Sequence, residues 1–366
     1  QSIANFRHSH KGLLTALESL AHQTRSNEAL RQRIEHKYRL KNTTGYALNS
    51  LVDYEDPIEI MKHLMIGSEG TLGFISEITY NTVDEHPNKA SALIFFPTVR
   101  TTCEAVAILK QTPVSAVEMM DRAGLRSIEN KAGMPDFIKQ LPDDAAALLV
   151  ETRSGCPDHL AQQVDAIKAS IAALETVQPV EFTTDPAEYS KYWAIRKGLF
   201  PAVGALRETG TTVIIEDVAF PVPQLAEAVH DLHQIFEKWH YDEALIFGHA
   251  LEGNLHFVFT QSFDSQAETD RYEGLMDDVA NMVVDKYDGS LKAEHGTGRN
   301  MAPYVEKEWG SEAYALMWEI KELFDPNNIL NPGVLLNRNA HVHLENLKPL
   351  PAADPLVDKC IECGFC

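Results

Sequence analysis

Two histidines and one carboxylate are the residues in this chain best suited to metal chemistry. His249 and His256 lie in the stretch GHALEGNLH, and Glu294 follows in AEHGTG. Two imidazoles and a carboxylate form a usual ligand set for a catalytic zinc site with an open fourth position. The neighbouring glycines would let the backbone bend so that these side chains converge. The chain contains 15 histidines, so hydrogen-bonded loop histidines are an alternative interpretation of the same spacing.

A glycine-rich loop is the second candidate. The stretch GSEGTLG spans residues 67–73, and the turn Thr44-Gly45-Tyr46 precedes it. Closely spaced glycines expose backbone N–H groups, which commonly hold phosphate. The loop matches neither a Walker motif nor the G-x-G-x-x-G dinucleotide motif. A tight structural turn explains it equally well.

Three of the five cysteines lie at the end of the sequence. Cys360, Cys363 and Cys366 have C-x-x-C-x-x-C spacing, which can supply three corners of an iron–sulfur cube. A zinc knuckle and a free redox pair are the alternatives. No fourth cysteine follows, so we expect such a cluster to be completed outside this sequence. The spacing favours a reducing compartment over a secreted disulfide scaffold.

The composition excludes several kinds of partner. The net charge of -21 argues against nucleic acid and anionic membranes, because both require a basic surface. It does not argue against a small anionic substrate, since salt screens distant charges beyond about 10 Å. No run approaches the roughly 20 apolar residues of a membrane span, and the polar start does not resemble a signal peptide. We expect a cytoplasmic protein, with peripheral contact to the inner membrane left open.

Hydrophobic periodicity predicts mixed secondary structure. Strands and helices alternate without a regular βαβ rhythm, which indicates an α+β fold. The pattern predicts helices over residues 10–36, 58–65, 101–110, 158–174, 189–205, 222–239 and 267–287. It predicts strands in the second part of 67–80 and over 90–96, 114–120, 145–152, 211–220, 244–248 and 255–260.

The motifs, taken in order, resemble the FAD-linked oxidase family. The series is KNTTGY, GSEGTLGFISEIT, VEMMD, IRKGL, IIEDVAFP, GHALEGNLH, AEHGTG and DPNNILNPG. That family includes D-lactate dehydrogenases, glycolate oxidase subunits and D-2-hydroxyglutarate dehydrogenases. The continuation into KCIECGFC is similar to long bacterial proteins that fuse such a flavoprotein to an iron–sulfur domain and act as D-2-hydroxyglutarate dehydrogenases.

The resemblance implies a domain organisation. It predicts the C-terminal part of a two-subdomain, vanillyl-alcohol-oxidase-like FAD-binding domain, together with a ferredoxin-like substrate cap. Residues 1–85 and 301–336 would belong to the FAD-binding domain, 86–300 to the cap with its metal site, and 337–366 to a linker and the start of an iron–sulfur domain. Residues 1–40 contain nothing like the proline- and glycine-rich loop with which the family wraps the FAD diphosphate. We therefore expect a fragment that folds its cap domain but binds FAD weakly or not at all, and that is inactive alone.

The resemblance also assigns residues to roles. His249, His256 and Glu294 match the family's metal ligands, His295 matches its catalytic histidine, and Arg196 matches the arginine that grips the substrate carboxylate. The FAD contacts match Thr44, Gly45, Tyr46, Gly67, Ser68, Glu69, Gly70, Thr71, Gly73 and Asn331. The implied reaction is the oxidation of a D-2-hydroxy acid assisted by a divalent metal, with zinc favoured. The hydride would pass to FAD and the electrons to a 4Fe–4S centre, with the final acceptor open.

Two departures from the family pattern bear on the substrate. Glu252 replaces the usual aspartate of the G-D-G-N turn, and Ile215 and Glu216 precede Asp217 where D-2-hydroxyglutarate dehydrogenases carry a lysine. D-2-hydroxyglutarate is the favoured substrate, and D-lactate and glycolate are the alternatives. A non-catalytic electron-transfer or scaffold subunit is the alternative from another class, and a homo-oligomer is left open.

Overall fold

The computed structural model describes residues 3–130, 134–347 and 351–360. The α-helices in the described part of the chain are α1 Ile3–Ser9, α2 Lys11–Ser26, α3 Glu28–Lys37, α4 Ser50–Asp53, α5 Pro57–Met65, α6 Val99–Leu109, α7 Arg122–Ile128, α8 Pro157–Ile171, α9 Pro186–Lys197, α10 Leu199–Leu206, α11 Leu225–Lys238, α12 Gln266–Asn281, α13 Val305–Trp309 and α14 Ser311–Phe324. The strands are β1 Asn88–Phe96, β2 Ala116–Met120, β3 Ala146–Ser154, β4 Thr212–Ala219, β5 Leu245–His249 and β6 Asn254–Gln261. The predicted α+β class is confirmed.

The described residues form two compact units. The first unit comprises residues 3–81 and Val283–Asn346, and the second comprises Thr82–Met282 with the described residues from 347 onward. In the sequence, the second unit is thus inserted into the first. The domain boundaries inferred from the family resemblance stay a prediction.

The first unit is helical, with one core. Apolar side chains of α2, α3 and α5 pack against α13 and α14, and the core includes Leu17, Ile34, Leu64, Trp309 and Met317. The helix predicted over residues 10–36 is wrong in one respect, because it is broken at Asn27. The Asn27 side chain accepts a hydrogen bond from the backbone N–H of Leu30 and so begins α3 as a separate helix.

The second unit is built on one antiparallel sheet. The strand order is β1-β3-β2-β5-β6-β4, and every neighbouring pair is antiparallel. The strands and helices form two similar halves, β1-α6-β2-β3-α8 and β4-α11-β5-β6-α12. The middle strands of the two halves, β2 and β5, pair with each other and join the sheet. Residues placed on β2 and β5 therefore meet across the junction of the halves.

Helices cover both faces of this sheet. On one face α7, α9 and α10 pack on a core that includes Phe95, Leu149, Phe247 and Val258. On the other face the ring of Phe236 from α11 contacts Phe257, and the ring of Tyr272 from α12 contacts Phe259. Successive strand residues point to opposite faces, so both sets of alternating side chains are buried. This explains why the strands are apolar runs in the sequence.

The strand predicted in the second part of residues 67–80 is wrong. The described residues after Gly73 pair with no strand until β1 begins at Asn88. The alternating apolar side chains that suggested a strand are exposed instead: Phe74, Ile78 and Tyr80 are 90%, 52% and 76% exposed. A strand requires a hydrogen-bonded neighbour, and a periodic sequence alone does not supply one.

Two further predicted helices are divided. The helix predicted over 189–205 is two helices, α9 and α10, because the chain turns at Gly198. The helix predicted over 267–287 ends its regular part at Asn281 and continues as a π-helical turn over Met282–Lys286. In the described part of the chain, no helix has both the length and the hydrophobicity that a membrane span requires.

Candidate active site

Polar side chains lie at one end of the sheet face that α9 covers. Three pairs of polar residues lie directly opposite each other on neighbouring strands: Ser91 and Glu151, Glu118 and His249, and Asp217 and His256. The other end of the same face is the apolar core described above. Unsatisfied polar groups are costly to bury, so this concentration draws attention to one end of the face, where the Glu118–His249 and Asp217–His256 pairs form the candidate site.

The two predicted histidine ligands lie together in this polar group. His249 ends β5 and His256 lies on β6, and their ring centroids are 5.4 Å apart with the rings nearly perpendicular. One ring nitrogen of each lies within 4.8 Å of the other. His256 is buried and His249 is partly exposed. The hairpin between β5 and β6 thus converts a spacing of seven residues in the sequence into neighbouring side chains.

Glu118 joins the histidine to the predicted substrate arginine. One oxygen of its carboxylate, Oε1, lies 2.6 Å from Nδ1 of His249, and the other, Oε2, accepts a hydrogen bond of 2.9 Å from Nε of Arg196. Glu118 is 5% exposed. Glu118 lies in the motif VEMMD, and the sequence alone predicted no role for it. A single glutamate in an apolar strand gives no functional signal until the β2–β5 register places it opposite His249.

Arg196 is held from two directions. Its guanidinium carbon lies 4.3 Å from the ring centroid of Phe247, and its Nε bonds Glu118. The helix α9 that carries it also places Trp193 on the same side, where Nε1 donates to Glu151 at 2.7 Å. Residues three apart share one side of a helix. Two buried glutamates therefore fix two side chains of α9.

β4 provides the edge of the site. Asp217 lies directly opposite His256 and is fully buried. Strand alternation puts Ile215 and Val213 on the same face, where both pack on the apolar core. The side chains next to Asp217 on this face of β4 are thus apolar, in agreement with the departure from the lysine pattern noted in the sequence.

In the first unit, the loop that carries Glu294 and His295 is bonded to the KNTTGY turn. The backbone N–H of Thr43 donates to the carbonyl of Lys292 at 2.7 Å, and the N–H of Lys292 donates to Thr44 Oγ1 at 3.0 Å. Beyond the two site residues, Thr297 Oγ1 accepts from Gly45 N–H at 2.7 Å and donates to the carbonyl of Thr43 at 2.9 Å. The loop is therefore anchored on both sides of Glu294 and His295, which are themselves exposed.

Glu294 has a cation as a neighbour within its own unit. Lys41 Nζ lies 2.6 Å from its Oε1, and both side chains are partly exposed. Partly exposed ion pairs of this kind contribute only about 0–1 kcal/mol to stability.

The glycine-rich loop is bonded to the same region. The carboxylate of Glu69 accepts hydrogen bonds from Gly298 N–H at 2.9 and 3.1 Å, and its carbonyl accepts from Asn331 Nδ2 at 2.7 Å. Burial raises the pKa of Glu69. Gly296 has a φ of +78°, a backbone conformation that residues with a side chain rarely adopt, and a Cβ there would also meet the Glu69 carboxylate.

The ten predicted FAD contacts have different environments within the first unit. Five of them are buried: Thr44, Gly45, Tyr46, Ser68 and Thr71. The hydroxyl groups of Tyr46 and Thr71 are hydrogen-bonded at 2.7 Å. Gly67, Gly70 and Asn331 are exposed, while Glu69 and Gly73 are partly buried. At Gly67 and Gly70 an added Cβ would meet no atom within 4 Å. The exposed members leave backbone accessible, and the assignment to FAD stays a prediction.

The described cysteine of the terminal motif is Cys360. It is exposed, and its carbonyl accepts a hydrogen bond of 2.7 Å from Arg207 in the same unit. Arg207 also donates to the carbonyl of Asp358 at 2.7 Å. Cys363 and Cys366 lie outside the described residues, so the predicted ligation by all three stays a prediction.

Comparison with known proteins identifies the family. A family model described as FAD linked oxidases, C-terminal domain, matches residues 85–335. The match spans more than half of the chain. This chain belongs to the FAD-linked oxidases.

Individual relatives of this FAD-linked oxidase have modest identity. The glycolate oxidase subunit GlcD of Bacillus subtilis is 28% identical over 283 residues, which cover 76% of this chain and 58% of the relative. The mitochondrial D-lactate dehydrogenase [cytochrome] of Arabidopsis thaliana is 32% identical over 303 residues, with coverage of 80% and 49%. The D-2-hydroxyglutarate dehydrogenase of Xanthomonas citri pv. viticola is 29% identical over 307 residues, with coverage of 81% and 59%. The chain thus spans only about half the length of these curated relatives.

Proposed function

We propose that this chain supplies the substrate- and metal-binding part of an FAD-linked dehydrogenase that oxidises a D-2-hydroxy acid to the 2-oxo acid. D-2-hydroxyglutarate is the favoured substrate. The observation that carries the proposal is the arrangement of His249, Glu118 and Arg196, in which one buried carboxylate bonds both an imidazole and a guanidinium. A cation-binding group and an anion-binding group are therefore fixed side by side, as a 2-hydroxy acid requires.

In this proposal His249, His256 and Glu294 hold a divalent cation, with zinc favoured. The donor set fits such an ion, because imidazole and carboxylate are its usual ligands and Glu118 fixes the orientation of the His249 ring. A divalent cation bound there would lower the pKa of a coordinated hydroxyl group.

Arg196 and His295 would bind the substrate carboxylate and remove the hydroxyl proton. Arg196, whose Nε donates to Glu118, would bind the substrate carboxylate, because a guanidinium can give a carboxylate two parallel hydrogen bonds. His295 accepts the hydroxyl proton as the general base. Lys292 and Thr297, on either side of His295 in the loop, are hydrogen-bonded to Thr43 and Gly45, which limits how far the imidazole can move.

FAD is the cofactor of the family, and it would supply the acceptor for the hydride from C2 of the substrate. The exposed backbone at Gly67 and Gly70, together with Asn331, would contact it. The buried residues of this set would hold the loop in place through their hydrogen bonds; they are Thr44, Tyr46, Ser68 and Thr71. A 4Fe–4S centre held in part by Cys360, Cys363 and Cys366 would carry electrons onward.

Cobalt titration tests the metal site in the chain as it stands. We expect the metal-free protein to bind one equivalent of Co²⁺ with visible d–d absorption. His249→Ala and His256→Ala should each weaken binding at least about a hundredfold, because a three-ligand site loses a third of its ligands. His22→Ala, on the exposed side of α2, is the matched control and should bind as the wild type does. Failure of the wild type to bind Co²⁺, or unchanged binding in both site variants, would refute the proposal.

A D-lactate or glycolate dehydrogenase is the second candidate, and one observation favours it. The side chains next to Asp217 on the site face of β4 are the apolar Ile215 and Val213, which offer nothing to a second carboxylate. With FAD removed no turnover takes place, so the affinities of metal-loaded protein for D-2-hydroxyglutarate, D-lactate and glycolate can be measured by calorimetry. Tighter binding of the two smaller acids would select the second candidate.

A further inference from the structure

Glu118 contacts two side chains with different proposed roles: His249 would bind the metal, and Arg196 would bind the substrate carboxylate. Its Oε1 lies 2.6 Å from His249 Nδ1 and its Oε2 lies 2.9 Å from Arg196 Nε. The side chain is 6% exposed, against 13% for that of Arg196. The carboxylate therefore has little access to water, and these two groups are its principal partners.

The chemistry of these bonds determines which nitrogen of His249 carries the proton. A carboxylate that accepts from a guanidinium can only accept, so Nδ1 of His249 must be the donor. The proton then sits on Nδ1, and Nε2 keeps its lone pair. A neutral imidazole with a lone pair on Nε2 is the form that binds a divalent cation.

We infer that Glu118 is a positioning residue that presents His249 to the metal through Nε2 and at the same time fixes Arg196 for the substrate carboxylate. This inference rests on the proposed function, and it adds a residue and a role that the family resemblance did not assign. Because one carboxylate bonds both side chains, it restrains His249, which would hold the metal, and Arg196, which would bind the substrate carboxylate, relative to each other.

The position of Glu118 in the sheet explains why it can do this. It lies on β2 directly opposite His249 on β5, at the junction of the two similar halves. Directly opposite residues of an antiparallel pair have Cβ atoms about 4.5–5.5 Å apart, which is close enough for a side-chain hydrogen bond. The strand pairing itself therefore sets the contact, without a loop.

Glu151 provides a matched control. It lies on the same sheet face one strand away, is 1% exposed, and bonds Ser91 and Trp193 through Oε2. Like Glu118, it fixes a side chain of α9, but no hydrogen bond connects it to His249 or Arg196 among the described contacts. The same substitution at Glu151 thus reproduces the loss of a buried carboxylate without touching the proposed site.

The test compares Glu118→Gln with Glu151→Gln in two measurements. An amide has one accepting oxygen and one donating nitrogen, so glutamine at position 118 can satisfy only one of two donors. We expect Co²⁺ affinity to fall about 10–100-fold in Glu118→Gln, the range typical when a residue that orients a metal ligand is replaced, and to change less than about threefold in Glu151→Gln. In metal-free, ¹⁵N-histidine-labelled protein, the His249 ring should carry its proton on Nδ1 in the wild type and shift toward the other tautomer in Glu118→Gln. The resonance is identified by its loss in His249→Ala.

If Glu118→Gln does not fold, Glu118→Asp is the variant in which the same two measurements are made. The shorter carboxylate still accepts but reaches only one partner, so its Co²⁺ affinity should lie between those of the wild type and Glu118→Gln. Wild-type affinity and an unchanged tautomer in Glu118→Gln would overturn the inference while leaving the metal site intact. If the wild type itself takes up no Co²⁺, the proposed function fails, and the tautomer measurement alone decides whether Glu118 orients His249.

Discussion

At the scale of single residues, Arg196 shows how much of this site depends on side-chain shape. The guanidinium is fixed by Glu118 through Nε and by the ring of Phe247 at 4.3 Å. A lysine would keep the positive charge but lose the planar fork, the stacking on Phe247 and the Nε donor. The arginine is therefore valuable for its geometry as well as for its charge.

We expect Arg196→Lys to weaken the affinity of the metal-loaded protein for D-2-hydroxy acids by about tenfold or more, because a bidentate contact is lost. Calorimetry with the acid that the wild type binds most tightly measures this. Arg153→Lys is the matched control, since Arg153 on β3 also bonds a buried glutamate, Glu151 of the same strand. Equal affinities in the wild type and Arg196→Lys would remove Arg196 from the substrate site.

The residues that could be predicted from the sequence are those with an unusual local pattern. His249, His256 and Arg196 lie in motifs with glycines or mixed charge, and the motif order indicated their roles. Glu118 could not be found in this way. Its importance depends on the pairing of β2 with β5, two strands separated by more than a hundred residues, and sequence periodicity does not contain that register.

At the scale of elements, the DPNNILNPG segment is more than the end of a helix. Asp325, just after α14, accepts from the backbone N–H groups of Ile329 at 3.0 Å and Leu330 at 2.8 Å. It also accepts from Lys321 Nζ at 2.6 Å. Burial acts to raise the pKa of Asp325, but these hydrogen bonds and the lysine charge lower it to about 2. The ionised carboxylate thus holds together the turn that leads to Asn331.

We expect Asp325→Asn to lower the unfolding temperature by several degrees at pH 7, because the amide nitrogen would face donors that need an acceptor. A carboxyl group with a lowered folded-state pKa stabilises above its unfolded pKa of about 3.9, and this contribution is lost as the pH falls through the folded value. The difference between variant and wild type should therefore shrink as the pH is lowered from 4 toward 2. Thermal unfolding followed by circular dichroism gives both results. Exposed Glu322→Gln is the control, and a pH-independent difference would contradict the explanation.

Helices and strands were predictable where burial agrees with periodicity, and not elsewhere. All six strands of the sheet lie within a few residues of their predicted positions because their side chains are buried and apolar. Residues 74–80 have the same kind of periodicity, yet they form no strand. Local sequence supplies the strand pattern but not the neighbour that would complete it. The breaks at Asn27 and Gly198 depend on single capping residues within otherwise helical stretches.

At the scale of the whole molecule, the exposed apolar segment 74–83 has a predictable effect on association. An extended segment with exposed apolar side chains can pair with other chains. We expect Phe74→Ser combined with Tyr80→Ser to slow aggregation and reduce dye binding by 8-anilinonaphthalene-1-sulfonate, without lowering the unfolding temperature. These side chains are 90% and 76% exposed, so their removal costs little packing.

Light scattering at rising protein concentration measures that effect. Ile329→Ser, which removes an isolated exposed apolar side chain, is the control and should leave the aggregation rate as it is. If the double variant aggregates as fast as the wild type, the segment is not the site of association.

The division of the first unit around an insertion affects how the protein is made. Leu17 of α2 and Ile34 of α3 pack against Trp309 and Met317, which the ribosome adds only after residues 82–282 of the second unit. At ~5–20 residues per second, the intervening stretch of about 200 residues takes roughly 10–40 s to synthesise. For that period the nascent helices expose the apolar surfaces that later form the core. Chaperones that bind nascent chains should therefore capture this region during translation and release it once α14 has emerged.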